Sequence, residues 1–216
     1  MGRPRTRTPE LRRTVLDAAL ELLRDGGHGA ITMRAVAAAA GTSQAAVGEL
    51  FDGKDGLVEA MHLAGFALLR DELAALPITS DAVDDVVALC DGYRSFASAH
   101  PQLFDVMFSR PFESFHPSKA DDRVAQDLYD VFVVRVQTLL AREDADASVI
   151  DVTTGLVALL FGLASQQRSG LLGSTAESQD RRWRRAVGTY VDGCAPTRHD
   201  HHTSQPAETA GPREGT

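Results

Sequence analysis

A tight crossing of two short helices is the feature that most limits what this chain can fold into. Between Thr32 and Leu57 it reads TMRAVAAAAGTSQAAVGELFDGKDGL. Such a crossing needs a small residue where the first helix meets the second, a glycine in the turn, and apolar residues that pin the second helix. Ala37, Gly41, Val47 and Leu50 supply these in order. Gly41 follows Ala37 by four positions, Val47 follows Gly41 by six and Leu50 comes three later, which is the helix-turn-helix spacing. Thr32 is the expected N-cap of the first helix, which Gly41 ends, and the second runs from Thr42 or Ser43 to Leu50–Phe51. An ordinary corner between two helices is the alternative reading of the same segment.

Around this unit, apolar residues recur at helical spacing nearly everywhere, and no run alternates with strand-type composition. The expected fold is all-α with about nine helices: an N-terminal three-helix helix-turn-helix domain followed by a C-terminal helical bundle domain. The first helix starts near Pro9 and stops at Gly26-Gly27. Asp52-Gly53 turns into a long fourth helix, which Pro77 closes, and a fifth ends at His100 because Pro101 disfavours helical geometry just before it. A sixth covers Gln102 to Ser109, and Arg110 to Ser118 is a loop. A seventh carries Val124 to Leu139, an eighth runs from about Ser148 to Gly170 and a ninth from about Ala176 to Gly193. The resulting partition is a flexible arm over 1–8, a head over 9–56, a larger body over 57–193 and a disordered tail over 194–216.

The net charge is −8, which at first sight disfavours a polyanionic partner. Its distribution alters that reading. Residues 1–56 hold eight basic groups against seven acidic ones, so all of the excess acidity lies further along. The first thirteen residues alone carry five arginines against Glu10. Cys90 and Cys194 have no ligand-type spacing, so neither a disulfide framework nor a zinc site is expected. The arginine-rich N-terminus is unlike a secretory signal, and no stretch reads as an uninterrupted membrane span, so a cytoplasmic chain is expected. No Ser/His/Asp or Cys/His arrangement and no phosphate-cradling glycine loop is present, so neither catalysis nor a cofactor is expected.

The segment from about Pro9 to Met61 resembles the N-terminal domain of the TetR family of regulators. The residues that carry the resemblance are Ala18-Ala19-Leu20-Glu21-Leu22-Leu23, Gly29-Ala30-Ile31-Thr32, Arg34, Val36-Ala37, Ala40-Gly41, Ser43, Val47, Phe51, Lys54, Leu57 and Ala60. The stretch from Tyr93 through His100-Pro101-Gln102 to Phe108 resembles the effector domain of one branch of that family. The resemblance implies a third helix in the major groove, with Thr42, Ser43, Gln44, Ala45 and Glu49 nearest the DNA. Gln44 could pair bidentately with adenine, and the Ala45 methyl could meet a thymine methyl. Thr32, Arg34 and Lys54 would hold phosphates, and Arg5 and Arg7 of the arm would add to them. Where many members have tyrosines in this helix the chain has Gly48 and Glu49, which keeps open a sensor with weakened or lost DNA binding.

The resemblance further implies a homodimeric, nucleoid-associated repressor that binds a palindromic operator and is released by a small, largely apolar effector. Its last two helices would pair with those of a second copy through Leu156, Leu160, Leu163, Trp183, Val187, Tyr190 and Val191. Phe66, Tyr93, Phe96, His100, Phe104, Met107, Phe108, Phe132 and Phe161 are the candidates to line an effector pocket, with plain core as the alternative for several of them.

Overall fold

The computed structural model describes residues 8–109, 112, 119–143 and 147–194. Among these, nine α-helices and one short 3₁₀ turn are present and no strand. The helices are α1 (Pro9–Gly26), α2 (Met33–Ala39), α3 (Gln44–Phe51), α4 (Gly53–Ala74), α5 (Ala82–Ala99), α6 (Pro101–Phe108), α7 (Lys119–Arg142), α8 (Val149–Arg168) and α9 (Ala176–Cys194). The 3₁₀ turn, His28–Ala30, links α1 to α2 and has no periodic signal in the sequence. The arm, including Arg5 and Arg7, and the tail from 195 onward lie outside the described residues, as does most of the loop expected at 110–118.

Side-chain caps set the starts of the helices. Thr8 accepts from the Leu11 N–H, and Asp81 accepts from Val83 and Asp84 at 2.9 and 3.0 Å. Pro101 occupies the first turn of α6, so α5 ends at Ala99 and the chain turns at His100.

The head packs α1, α2 and α3 around Val15, Ala19, Leu23, Ile31, Val36 and Val47, all buried. α4 begins in this head and continues into the body, so the boundary expected after residue 56 falls inside a continuous helix. α6 lies against α4 at Gly65, where a Cβ would come within 2.8 Å of Met107 Cγ and Sδ. The glycine lets these two helices approach so closely.

Two polar clusters tie the body together. The Arg135 guanidinium donates to the carbonyls of Leu76 and Pro77 at 2.9 and 3.1 Å and lies 3.5 Å from Asp85 Oδ2. Asp85 in turn accepts from the Thr79 N–H and hydroxyl, both at 2.9 Å. Arg135 and Asp85 are both buried, so α7 holds the α4–α5 connection from within. Further along, Trp183 of α9 donates to Asp91 of α5 at 3.1 Å, and the Arg94 guanidinium covers its ring.

By length and composition alone α8 is apolar enough to cross a membrane, a test that a core helix of a globular body also passes. Asp151, Thr153 and Thr154 interrupt the apolar run near its start.

Candidate nucleic-acid interface and internal cavity

The helix-turn-helix is built by two caps and one glycine. Thr32 caps α2 by accepting from the Ala35 N–H, and Ser43 caps α3 by accepting from Ala46, each at 3.1 Å. Between them Gly41 adopts φ +62°, a left-handed conformation that strains any residue with a Cβ. The Thr42 N–H then closes the turn onto the Ala37 carbonyl at 2.9 Å.

α3 has two faces. Ala46, Val47 and Phe51 point into the head, where the Arg12 guanidinium sits 4.5 Å from the centroid of the Phe51 ring. On the other side Ser43, Gln44, Ala45 and Glu49 are exposed, with Thr42 and Gly48 half-buried. Thr32, Arg34 and Lys54 are exposed on the adjoining helices. Seven of the residues expected to meet DNA are therefore exposed on one head, with Thr42 half-buried among them, and Ser43 and Thr32 serve also as caps. Asp52 joins α3 to α4 at φ +56°, a conformation that Asp tolerates better than most residues.

Lys54 has a second neighbour that sequence reasoning missed. Its ammonium lies 5.4 Å from the centroid of the Phe112 ring, which follows α6 and also meets the His28 ring edge-on at 6.2 Å. An aromatic in a proline-containing loop carries no periodic signal that places it there.

Within the body, helices α4 to α8 line a cavity of about 420 Å³ that opens to solvent past Thr154, Ala158 and Phe161, all three exposed. Phe66, Tyr93, Phe108, Phe132 and Phe161 contribute to its wall, with Leu128, Tyr129, Thr154 and Val157 among their neighbours. Four of the expected pocket residues lie elsewhere. Phe96, Phe104 and Met107 are packed in the core behind the wall. His100 borders a separate cavity of about 410 Å³ between α1, α4 and the α5–α6 junction, with its Nε2 3.6 Å from Glu72. Phe132 of α7 and Phe161 of α8 are among the expected residues, whereas the aliphatic Leu128, Val157 and Ala158 beside them on the same two helices are not, because an aromatic pattern does not point to them. Among the described residues, no three His, Cys, Asp or Glu side chains are grouped so as to hold a metal ion.

Residues 15–61 match the model of bacterial regulatory proteins of the tetR family, and residues 86–190 match the tetracyclin repressor-like C-terminal domain. The two matches follow each other in the order of head and body and together cover most of the chain. The chain belongs to the tetR family. A protein of unknown function from Rhodococcus sp. RHA1 has the same fold with a TM-score of 0.75 and 25% identity, covering 90% of this chain and all of that one. A tetR-family regulatory protein from Rhodococcus RHA1 gives a TM-score of 0.65 at 17% identity, over 87% of this chain and 98% of its own. A TetR variant from Acinetobacter baumannii AYE, in complex with minocycline, gives 0.59 at 17% identity, over 84% and 94%. No curated protein sequence matches the chain.

In this tetR-family chain, the residues expected to pair the last two helices with a second copy are mostly buried within the single chain. Leu156, Leu160, Leu163, Trp183, Val187 and Val191 are all buried within the single chain. Tyr190 is half-buried and donates to the Val152 carbonyl at 2.8 Å. Within the single chain α8 and α9 pack against each other and against α5. The periodic apolar stripe formed by these residues faces inward. α8 carries a second apolar face that points out, with Ile150 57% and Phe161 40% exposed and Thr154 and Ala158 between them.

Proposed function

We propose that the protein is a ligand-responsive transcription regulator that binds a palindromic operator as a homodimer, acts as a repressor in the cytoplasm at the nucleoid, and releases DNA when a small apolar effector enters the body. The observation that carries this reading is the two-faced α3: three residues lock it into the head while Gln44, Ala45 and Glu49 are presented together to solvent. A helix held in this way is what major-groove readout requires, and the exposed Thr32, Arg34 and Lys54 flank it where phosphates would run.

Reading a palindrome needs two heads about 34 Å apart, hence two copies. Support for pairing comes from the outward face of α8, because an apolar stripe with Ile150 and Phe161 exposed gains by burial against its own copy. Gly162 and Gly188 leave open space where a Cβ would stand, which suits close approach of another helix.

The effector reading rests on the α4–α8 cavity together with the continuity of α4, which bears Lys54 in the head and Phe66 in the cavity wall. A ligand can drive release only if it binds the DNA-free arrangement better than the DNA-bound one. Domain roles follow: residues 9–56 read DNA, and 57–193 sense and dimerise. The second reading, a sensor with weakened DNA binding, is favoured by one feature, the carboxylate of Glu49 on the presented face beside Gly48, which brings no side chain.

Binding-site selection on random DNA with the purified full chain tests the choice. A regulator recovers a two-fold symmetric site bound with a steep salt dependence. Recovery of no consensus, with flat salt dependence, overturns the regulator reading in favour of the sensor.

A further inference from the structure

Three residues of the cavity wall bear a side-chain hydroxyl, and two of these hydroxyls are already satisfied. Tyr129 donates to the Ile150 carbonyl at 3.1 Å and lies 2.9 Å from Thr154 Oγ1. Tyr93 differs. Its side chain is 1% exposed, and its ring is met edge-on by Phe104 and Phe132 at 5.8 and 6.3 Å. Its hydroxyl is the one buried side-chain polar atom without a hydrogen-bond partner among the described residues.

Buried donors are rarely left without partners, because their hydration is lost and nothing replaces it. Such a group regains that loss when an acceptor arrives. Burial also raises the Tyr93 pKa, so the hydroxyl stays protonated and able to donate. Around it the wall is aromatic and aliphatic: Phe66, Phe108, Phe132 and Phe161, with Phe108 5.3 Å from Phe66 and 5.6 Å from Phe161. No lining residue is charged, so an ionic ligand would surrender its hydration for no counter-charge.

We propose that this cavity takes an uncharged, mainly apolar aromatic molecule carrying a hydrogen-bond-acceptor oxygen, and that the Tyr93 hydroxyl donates to that oxygen. The inference rests on the cavity being the effector site. It goes further by assigning the chemical class: aryl ketones, quinones and their like are admitted, plain hydrocarbons of the same outline bind less well, and carboxylates are excluded.

The test is calorimetric titration of the full chain with three probes of similar outline: acetylnaphthalene, isopropylnaphthalene and naphthoate. The ketone is expected to bind about tenfold more tightly than the hydrocarbon, with naphthoate the weakest. In Tyr93→Phe the ketone falls to the level of the hydrocarbon, whose affinity is unchanged. That variant keeps or gains thermal stability, since the hydroxyl it loses has no partner. Equal binding of ketone and hydrocarbon to the unaltered protein, or a preference that survives Tyr93→Phe, overturns the proposal. Ala125→Trp, which fills the cavity from α7, separates the two levels. If it abolishes binding of two probes that bound equally, the effector site stands and the role of Tyr93 falls. If the probes do not bind the unaltered protein, or bind Ala125→Trp undiminished, both readings fall.

Discussion

The Lys54 ammonium and the Phe112 ring, 5.4 Å apart, join the head to the segment that leaves the body's α6. Phe112 lies four residues beyond Phe108, which lines the cavity, and it also contacts His28 in the turn between α1 and α2. A displacement of α6 on ligand entry would thus reach Lys54 through one aromatic residue as well as along α4. The contact itself is worth about 0.5–1 kcal/mol.

Phe112→Ala should therefore disturb coupling more than binding. The prediction is that operator affinity without ligand changes by no more than about fivefold. The loosening of that affinity by acetylnaphthalene shrinks toward none. Fluorescence anisotropy of labelled operator, with and without the probe, measures both. A full ligand response in Phe112→Ala means that α4 alone transmits the change.

Gln44 and Lys54 should fail in different ways. Gln44→Ala removes an amide from the presented face of α3, so it should cost about 1–3 kcal/mol at one base pair and relax preference there alone. Lys54→Ala should weaken all sequences about equally and lower the slope of log affinity against log salt by about 1. Competition binding with single-base operator variants at several salt concentrations separates the two patterns. Unchanged affinity in both variants shows that α3 does not dock in this way.

How much of this could be read from the sequence differs between head and body for a physical reason. The head is governed by local rules: Thr32 and Ser43 cap within three residues, Gly41 takes the one conformation that demands glycine, and Ala37 and Val47 sit at fixed spacing. Its elements were legible to within a residue or two. In the body, periodicity identified the helices but not which of two apolar faces on α8 points inward. Leu156 and Phe161 look equally apolar in sequence, yet one is buried and the other exposed. The link from Arg135 to Asp85 spans distant parts of the chain and has no local signature.

Ile150→Glu tests the outward face of α8. The residue is 57% exposed in the single chain, so the substitution costs little folding stability, about 0.5 kcal/mol or less. In a dimer sealed by that face, a carboxylate would be stripped of water against apolar neighbours. Sedimentation velocity should then show a shift from dimer to monomer at micromolar concentration, with helical content unchanged. A dimer that persists places the interface elsewhere.

Arg135→Ala leaves the Asp85 carboxylate buried without its cation, and the Leu76 and Pro77 carbonyls without their donor. Breaking a buried pair from one side costs about 3–5 kcal/mol, on the order of 10 °C in Tm for a chain of this size. Thermal denaturation followed by circular dichroism reads it. A loss below about 1 kcal/mol would show that water reaches Asp85 and that the link is only superficial.

Alkaline pH should unfold the protein through Cys90. Burial, reinforced by neighbouring Asp91, pushes this thiol up from 9.0 to about 12. In the unfolded chain the thiol ionises near pH 9 while the folded one holds its proton, so the folded state binds more protons across that interval. Stability from this group is full below about pH 9 and falls as pH rises, by at most ~1.4 kcal/mol per pH unit until the folded thiol also ionises. Tyr93, whose pKa burial also raises, acts in the same direction at higher pH. Cys90→Ala should flatten the decline of denaturation midpoint between pH 9 and 11, with Tyr93→Phe as the control for the phenol. A decline of the same slope in Cys90→Ala would assign the alkaline sensitivity to other groups and show that the thiol can ionise in place.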